Sequence, residues 1–240
     1  MVSAFDLESL AFVNTLEPEY IKIPSGEITN IPYLRAVGKL KRKVILSTGM
    51  STLKEIKIAV DCLTKSGLRK KNLIILHCNT EYPTPIEDVN LKAMISIAEE
   101  FSCKIGYSDH TNTNEVSISA VALGATIIEK HITIDRSLEG PDHLASMEPE
   151  EFKKFVISLR KTEILLGSKI KKPSASEKKN LRLARKVIVA EKSIKKGEIY
   201  SSSNLTLKRA GKGLSPNIWD SLIGKVAIKD FDKNQIIKLK

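Results

Sequence analysis

Five short runs of apolar, largely β-branched residues punctuate residues 20–128 of the chain: Tyr20 to Ile23, Val44 to Leu46, Leu73 to Leu76, Ile105 to Tyr107 and Thr126 to Ile128. They do not alternate with polar residues, so each predicts a strand buried on both faces. Between them the apolar period becomes helical. Leu53, Ile56, Ile58, Ala59 and Leu63 follow the second run; Met94, Ile95, Ile97, Ala98 and Phe101 follow the third; Val116, Ile118, Val121 and Ala122 follow the fourth. Strand ends recurring about every 20–30 residues, with helices between, predict a parallel sheet of strand–helix units. A stronger helix is expected over Glu150 to Leu166, where Phe152, Phe155, Val156, Leu159, Ile164 and Leu165 keep helical spacing until Gly167 stops it.

Polar residues gather at the end of each run. Lys22, Ser25 and Glu27 surround the first end; Ser47, Thr48 and Gly49 the second; His77, Cys78 and Asn79 the third; Ser108, Asp109 and His110 the fourth; Glu129 to His131 the fifth. Chemistry at the carboxyl ends of consecutive parallel strands is the habit of a (β/α)8 (TIM) barrel. An open doubly wound sheet also binds there, but usually at one switch point, and here every strand contributes. Five strands do not close such a barrel. Phe5 to Phe12 reads as the loop and helix that follow a strand, and that strand is reduced to Met1 to Ala4. Residues 1–168 are therefore expected to form a partial TIM barrel, strands four to eight plus a remnant of the third.

The second part differs in charge and pattern. Residues 168–240 hold 19 Lys+Arg against 6 Asp+Glu, a balance of +13, whereas residues 1–167 hold 20 against 22. Residues 169–185 read as a basic, proline-containing linker. Residues 186–240, with short runs at Val187 to Val189, Leu205 to Leu207, Val226 to Ile228 and Ile236 to Leu239, read as a small β-rich module. A basic module suits either a polyanion or a small anionic substrate, or is simply a lysine-rich solvated surface. No apolar run approaches the ~18 residues of a membrane span, and the first residues lack the pattern of a secretory signal. Cys62, Cys78 and Cys103, an odd set without Cys-x-x-Cys spacing, fit reduced thiols and a cytoplasmic setting.

All four histidines, His77, His110, His131 and His143, lie at or just beyond the end of an apolar run. Histidine ligates metals and exchanges protons near neutral pH, so four at successive ends suggest one shared cleft. The alternative is a buried imidazole bonded to neighbouring backbone. Lys22 interrupts a buried run, where an unpaired ammonium is costly; a bound anion or a carboxylate such as Glu129 would explain it.

Taken in order, several pieces carry a resemblance: Phe5-Asp-Leu-Glu-Ser; Tyr20-Ile-Lys-Ile-Pro-Ser-Gly-Glu-Ile-Thr-Asn; Val44-Ile-Leu-Ser-Thr-Gly-Met; Leu76-His-Cys-Asn-Thr-Glu-Tyr-Pro-Thr-Pro; Gly106-Tyr-Ser-Asp-His-Thr; Ile128-Glu-Lys-His; and Gly140-Pro-Asp-His. With these the chain resembles the sialic acid synthase family, which includes the legionaminic acid synthases. Ile194-Lys-Lys-Gly-Glu and Leu207-Lys-Arg-Ala-Gly-Lys-Gly resemble the family's small antifreeze-like (SAF) module.

The resemblance implies condensation of phosphoenolpyruvate with an N-acetylated amino-hexose, giving a nine-carbon 2-keto acid and phosphate, with a divalent metal (Mn2+ or Mg2+). It places the metal on His110 and His131, phosphoenolpyruvate on Lys22, Ser25, Ser47, Thr80 and Ser108, and the sugar on Glu27, Tyr82 and Asp142. Lys22, Glu27, Glu129 and Asp142 form the expected catalytic set. Serines at strand ends also serve as helix caps, and Asp142 in a Gly-Pro-Asp turn also suits a structural role. Arg209 matches the arginine that the module lends to the partner subunit's site, which implies a domain-swapped homodimer; the alternative is a surface arginine. Two departures stand out. Cys78-Asn-Thr80 replaces the family's Cys-Thr-Asn or Cys-Thr-Ser. Its Glu-x-x-x-Asn-His and Lys-x-Gln segments, which carry a candidate acid/base and a phosphoenolpyruvate lysine, have no counterpart here. Little condensation is therefore expected from these residues alone, unless an upstream fragment supplies the missing strands. The reading from another class is a noncatalytic module that uses its basic region for binding; nucleic acid is not the expected partner.

Overall fold

The computed structural model describes residues 1–239, so Lys240, the last residue of the expected small module, lies outside the described residues. The chain divides into two compact units, residues 1–167 and 168–240.

In the first unit six strands form one parallel sheet in sequence order: β1 (Val2–Ser3), β2 (Tyr20–Ile23), β3 (Lys43–Ser47), β4 (Leu73–Cys78), β5 (Lys104–Asp109) and β6 (Ile127–Lys130). All five apolar runs became strands. Six α-helices accompany them: α1 (Leu7–Thr15), α2 (Ile31–Leu40), α3 (Leu53–Lys65), α4 (Lys92–Phe101), α5 (Glu115–Ala122) and α6 (Pro149–Leu166). Local signals set their starts. Asp6 caps α1, Asn30 caps α2, and Thr52 with Glu55 forms a reciprocal capping box on α3.

Strand alternation sorts the side chains into two populations. One face carries Ile21, Ile23, Val44, Leu46, Leu73, Ile75, Ile105 and Tyr107, which join Leu34, Ile56, Leu63, Met94 and Ile97 of the helices in the main core. The other face has an apolar floor of Ile45, Ile74 and Leu76, flanked by Tyr20 and Ile127. By register, Ser47 pairs with Leu76, Leu76 with Gly106, and Ser108 with Glu129. A Cβ on Gly106 would run into the Ile127 carbonyl oxygen and stand 2.6 Å from Leu76 Cδ2, so the two strands close only over a bare glycine.

The sheet is curled. Strands four positions apart in a flat sheet stand about 19 Å from one another. Yet Lys22 Nζ on β2 lies 3.3 Å from Glu129 Oε1 on β6. Side chains of that length bridge the strands only if the sheet bends into a trough with its second face inward. Strand order and curl agree with a barrel-like sheet, and among the described residues β1 and β6 are each paired on one side only.

Two helical expectations need correction. Ile58, counted with the buried stripe of α3, is exposed; Ile56, Ala59, Val60 and Leu63 make the contact. Ile164 and Leu165 are likewise exposed, and α6 buries Phe155 and Thr162. Period alone does not separate a core stripe from the apolar residues beside it.

The second unit pairs β7 (Val187–Ala190) antiparallel with β8 (Leu205–Lys208). The expected runs at Val226 and Ile236 contribute isolated bridges, to Ile199 and Val189, rather than full strands. Ile188, Ile194, Tyr200, Leu205, Leu222, Phe231 and Ile237 form its core. The stretch read as a linker holds two one-turn helices, α7 (Ala175–Lys178) and α8 (Leu181–Ala184), and α9 (Trp219–Leu222) was not foreseen. Among the described residues no helix is long and apolar enough to cross a membrane.

Candidate active site

Above the apolar floor, at the carboxyl ends of β2 to β6, the inward positions are polar. Lys22 is 7% exposed and paired with Glu129. Glu129 Oε1 also accepts from Ser108 Oγ at 2.7 Å. Ser108 Oγ lies 3.3 Å from His110 Nε2. The His110 and His131 rings are nearly perpendicular, with centroids 5.3 Å apart. Lys22, Ser108, Glu129, His110 and His131 thus form one unbroken series across three strands.

The tautomer of His110 follows from its partners. Nδ1 is 2.6 Å from the Asn79 carbonyl, which only accepts, so Nδ1 carries the proton. Ser108 has one hydroxyl proton, and the shorter Glu129 bond takes it. The Nε2 lone pair of His110 is left without a donor. Burial pushes this imidazole below its usual range, against the Asn79 bond, and the neighbouring His131 pushes the same way. The neutral, ligating form is therefore favoured.

These features fit a divalent ion. With metal–nitrogen bonds of about 2.1 Å, two imidazoles sharing an ion at about 90–110° have centroids about 5 Å apart. Among the described residues no group of three or more His, Cys, Asp or Glu side chains converges as a metal cage. An ion here would rest on His110 and His131, with its other positions open. Asp142 Oδ2 lies 3.7 Å from His131 Nδ1, near enough for charge but too far for a hydrogen bond. Tyr82 covers the pair, its ring 4.1 Å from that of His110 and 5.3 Å from that of His131.

A second cluster forms where β2, β3 and β4 end. Ser25 Oγ accepts from Gly49 N at 2.9 Å and lies 3.3 Å from Cys78 Sγ. A Cβ on Gly49 would meet Thr80 Cγ2 at 2.6 Å, so these loops touch because residue 49 has no side chain. Ser47 is 3% exposed and its hydroxyl has no hydrogen-bond partner, which costs free energy unless something else accepts or donates there. It is not a helix cap. Glu27, in the same short turn as Ser25, makes a local bond, accepting from Asn30 Nδ2 at 2.6 Å. Arg209 is exposed, directly after β8 in the second unit.

The expectation of four histidines in one cleft is corrected. His77 falls on the helix-facing side, where Nε2 donates to the Val89 carbonyl at 3.0 Å and the ring meets Tyr107 edge-on. His143 Nδ1 is 2.7 Å from Thr133 Oγ1. Strand alternation separates His77 from the other two, since it is one residue out of phase with Cys78 and Ser108. Burial lowers the affinity of His77 for its proton. Because the folded value lies below the unfolded one of about 6.5, stability should be full above that pH and should decline as the pH falls through it toward the folded value. His77→Gln, which keeps a donor at the Nε2 position, should flatten the decline in melting temperature between neutral and mildly acid pH; an unchanged slope would remove this residue from the account. His110 shifts in the same direction, so some slope remains.

Asp109 and Lys130 lie outside the expected catalytic, binding and metal sets. They pair at 3.3 Å on the outward side, with side chains 0% and 2% exposed. The signal was present: each stands directly before a ligand-candidate histidine, at a position where alternation calls for an apolar residue.

The NeuB family model matches residues 1–171 and the SAF domain model residues 185–240. The chain is 49% identical to N,N'-diacetyllegionaminic acid synthase of Campylobacter jejuni, over 98% of this chain and 70% of that protein. It is 44% identical to the synthase of the same name from Legionella pneumophila, over 93% of this chain and 64% of the other. The crystal structure of a putative spore coat polysaccharide biosynthesis protein E from Chromobacterium violaceum superposes with a TM-score of 0.80 at 26% identity, covering 98% of this chain and 70% of that one. The chain thus spans about two thirds of the length of these relatives.

Proposed function

Because the chain belongs to the NeuB family, the family of sialic acid synthases, and carries a SAF domain, we propose that it binds phosphoenolpyruvate and an N-acetylated amino-hexose for condensation to a nine-carbon 2-keto acid with release of phosphate. The observation that carries this reading is the continuous series from Lys22 through Glu129 and Ser108 to His110 and His131. It sets a cation and a serine hydroxyl beside two imidazoles on one inward face.

Lys22, Ser25, Ser47, Thr80 and Ser108 would hold the phosphate and carboxylate of phosphoenolpyruvate, and the partnerless Ser47 hydroxyl is the one most in need of an acceptor. Glu129 keeps Lys22 aimed at that anion, and Ser108 would turn its hydroxyl proton from Glu129 to the ligand. Tyr82, Asp142 and Glu27 would take the sugar, with Tyr82 excluding water from above the imidazoles. Mn2+ or Mg2+, when bound to His110 and His131, would supply Lewis-acid polarisation of the sugar aldehyde. Arg209 would act on the site of a second subunit in a homodimer.

Residues 1–167 hold no counterpart of the family's Glu-x-x-x-Asn-His and Lys-x-Gln segments, so we expect binding to persist and turnover by these residues alone to be slow. Calorimetric titration of the chain with phosphoenolpyruvate in Mn2+ should give saturable binding, competed by inorganic phosphate. Phosphate release should rise only when N-acetylmannosamine or 2,4-diacetamido-2,4,6-trideoxymannose is added, and product mass identifies the sugar used. Absence of phosphoenolpyruvate binding would overturn the reading; rapid turnover would show the two segments to be dispensable.

A further inference from the structure

We propose that the buried Asp109–Lys130 pair is the strut that sets the relative position of His110 and His131, making both positioning residues for the imidazole pair. For its chemical purpose the inference rests on the reading of those rings as metal ligands.

Each member immediately precedes one of the histidines. Asp109 and Lys130 are register partners on β5 and β6. Alternation places the pair on the outward side of the sheet and the rings on the inward side. The next step along each strand is thus a histidine, and whatever sets the spacing of the pair sets the spacing of the rings.

The bonds of the pair fall around His110 itself. Asp109 Oδ1 accepts from Thr111 N at 2.9 Å and from Thr111 Oγ1 at 2.8 Å, an Asx turn with His110 at its middle. Asp109 Oδ2 accepts from Ser117 Oγ of α5 at 2.5 Å. Lys130 Nζ joins the same turn from the next strand, donating to the Thr111 carbonyl as well as pairing with Asp109. The ammonium that precedes His131 therefore grips both ends of the turn that carries His110. Asp109, Thr111 and Ser117 are all 0% exposed.

A buried ion pair is a poor way to gain stability, since apolar residues of similar size often do as well. Its directional bonds suit it to fixing geometry instead. The hydrogen bonds beside it hold each histidine separately: the Asn79 carbonyl accepts from the His110 ring, while the backbone carbonyl of His131 accepts from Met147 N. Beyond the β5–β6 ladder, the pair ties the turn that carries His110 to the strand that leads into His131.

The test compares the native chain with the double variant Asp109→Asn/Lys130→Met, which removes both charges together, and with Thr111→Val, which removes the hydroxyl contact to Asp109 and two longer ones to the Thr113 backbone but no charge. Long-range 1H–15N spectra of the metal-free proteins report the tautomer and environment of each imidazole, and electron paramagnetic resonance measures Mn2+ binding. His110 in the native chain should show a single Nδ1–H tautomer. In the double variant that signal should average and the His131 signal should move, while Mn2+ affinity falls about 10–100-fold, as for lost supports of metal ligands. Thr111→Val should move the same signals less. A folded double variant with native ring signals and native Mn2+ affinity overturns the proposal. If the double variant does not fold, unchanged ring signals in Thr111→Val overturn it. Should the native chain bind no Mn2+ while its ring signals still respond to the substitutions, the ligand reading fails and the strut stands.

Discussion

Replacing His110 with asparagine is expected to abolish Mn2+ binding while leaving the chain folded. Asparagine places an amide donor near the position of the imidazole Nδ1, so the bond to the Asn79 carbonyl can persist. It offers nothing at Nε2, the atom whose lone pair is free in the native site. His110→Ala removes both functions and leaves the half-buried Asn79 carbonyl without its imidazole partner, at a cost of about 1 kcal/mol. Its melting temperature should fall further than that of the asparagine variant. Since an ion here would have only two protein donors, losing one should weaken Mn2+ by about 100-fold or more, beyond the 10–100-fold seen when only a supporting group is lost. Any sugar-dependent phosphate release should fall by about three orders of magnitude, the several kcal/mol a Lewis acid supplies. His77→Gln, made on the helix side of the same sheet, should leave Mn2+ affinity alone. Native Mn2+ affinity in His110→Asn would remove the imidazole pair from the metal account, whatever its stability.

That contrast between His77 and His110 also shows what the sequence could carry. Both follow an apolar run, and position along the chain makes them equivalent. The discriminating fact is strand phase: Cys78, Ser108 and Glu129 are register neighbours on the inward face, and His77 is one residue out of step. Phase requires the register, which continuous apolar runs do not encode because they lack alternation. The parallel strands themselves were legible, since buried β-branched runs separated by helical stripes leave few other solutions. The short second unit was less so. Its Val226 and Ile236 runs make single bridges, and a module with few strands is held by side-chain packing around Tyr200 and Phe231 more than by ladders. Lys22 was legible from cost alone: an ammonium inside a buried run needs a partner, and Glu129 supplies it.

Whether Glu129 is the whole explanation of Lys22 is open to a direct experiment. Lys22→Met should weaken phosphoenolpyruvate binding by about 10²-fold, the equivalent of one charge-assisted bond worth about 1.5–3 kcal/mol. It should also lower the melting temperature, because Glu129 and Ser108 then face an apolar side chain. The double variant Lys22→Met/Glu129→Gln separates the two effects. Glutamine still accepts from Ser108 and brings no charge, and removing both members of an ion pair is commonly close to neutral for stability. Its melting temperature should return toward the native value. Phosphoenolpyruvate affinity should not return, because the ligand loses its cation in both variants. Lys22→Arg should rescue poorly, since a planar fork does not reproduce the compact, buried ammonium that pairs with Glu129 at 3.3 Å. If the double variant instead recovered both stability and affinity, Lys22 would be a structural partner of Glu129 alone. The anion would then have to be held by the hydroxyls of Ser25, Ser47 and Ser108, a neutral cradle poorly matched to a phosphate.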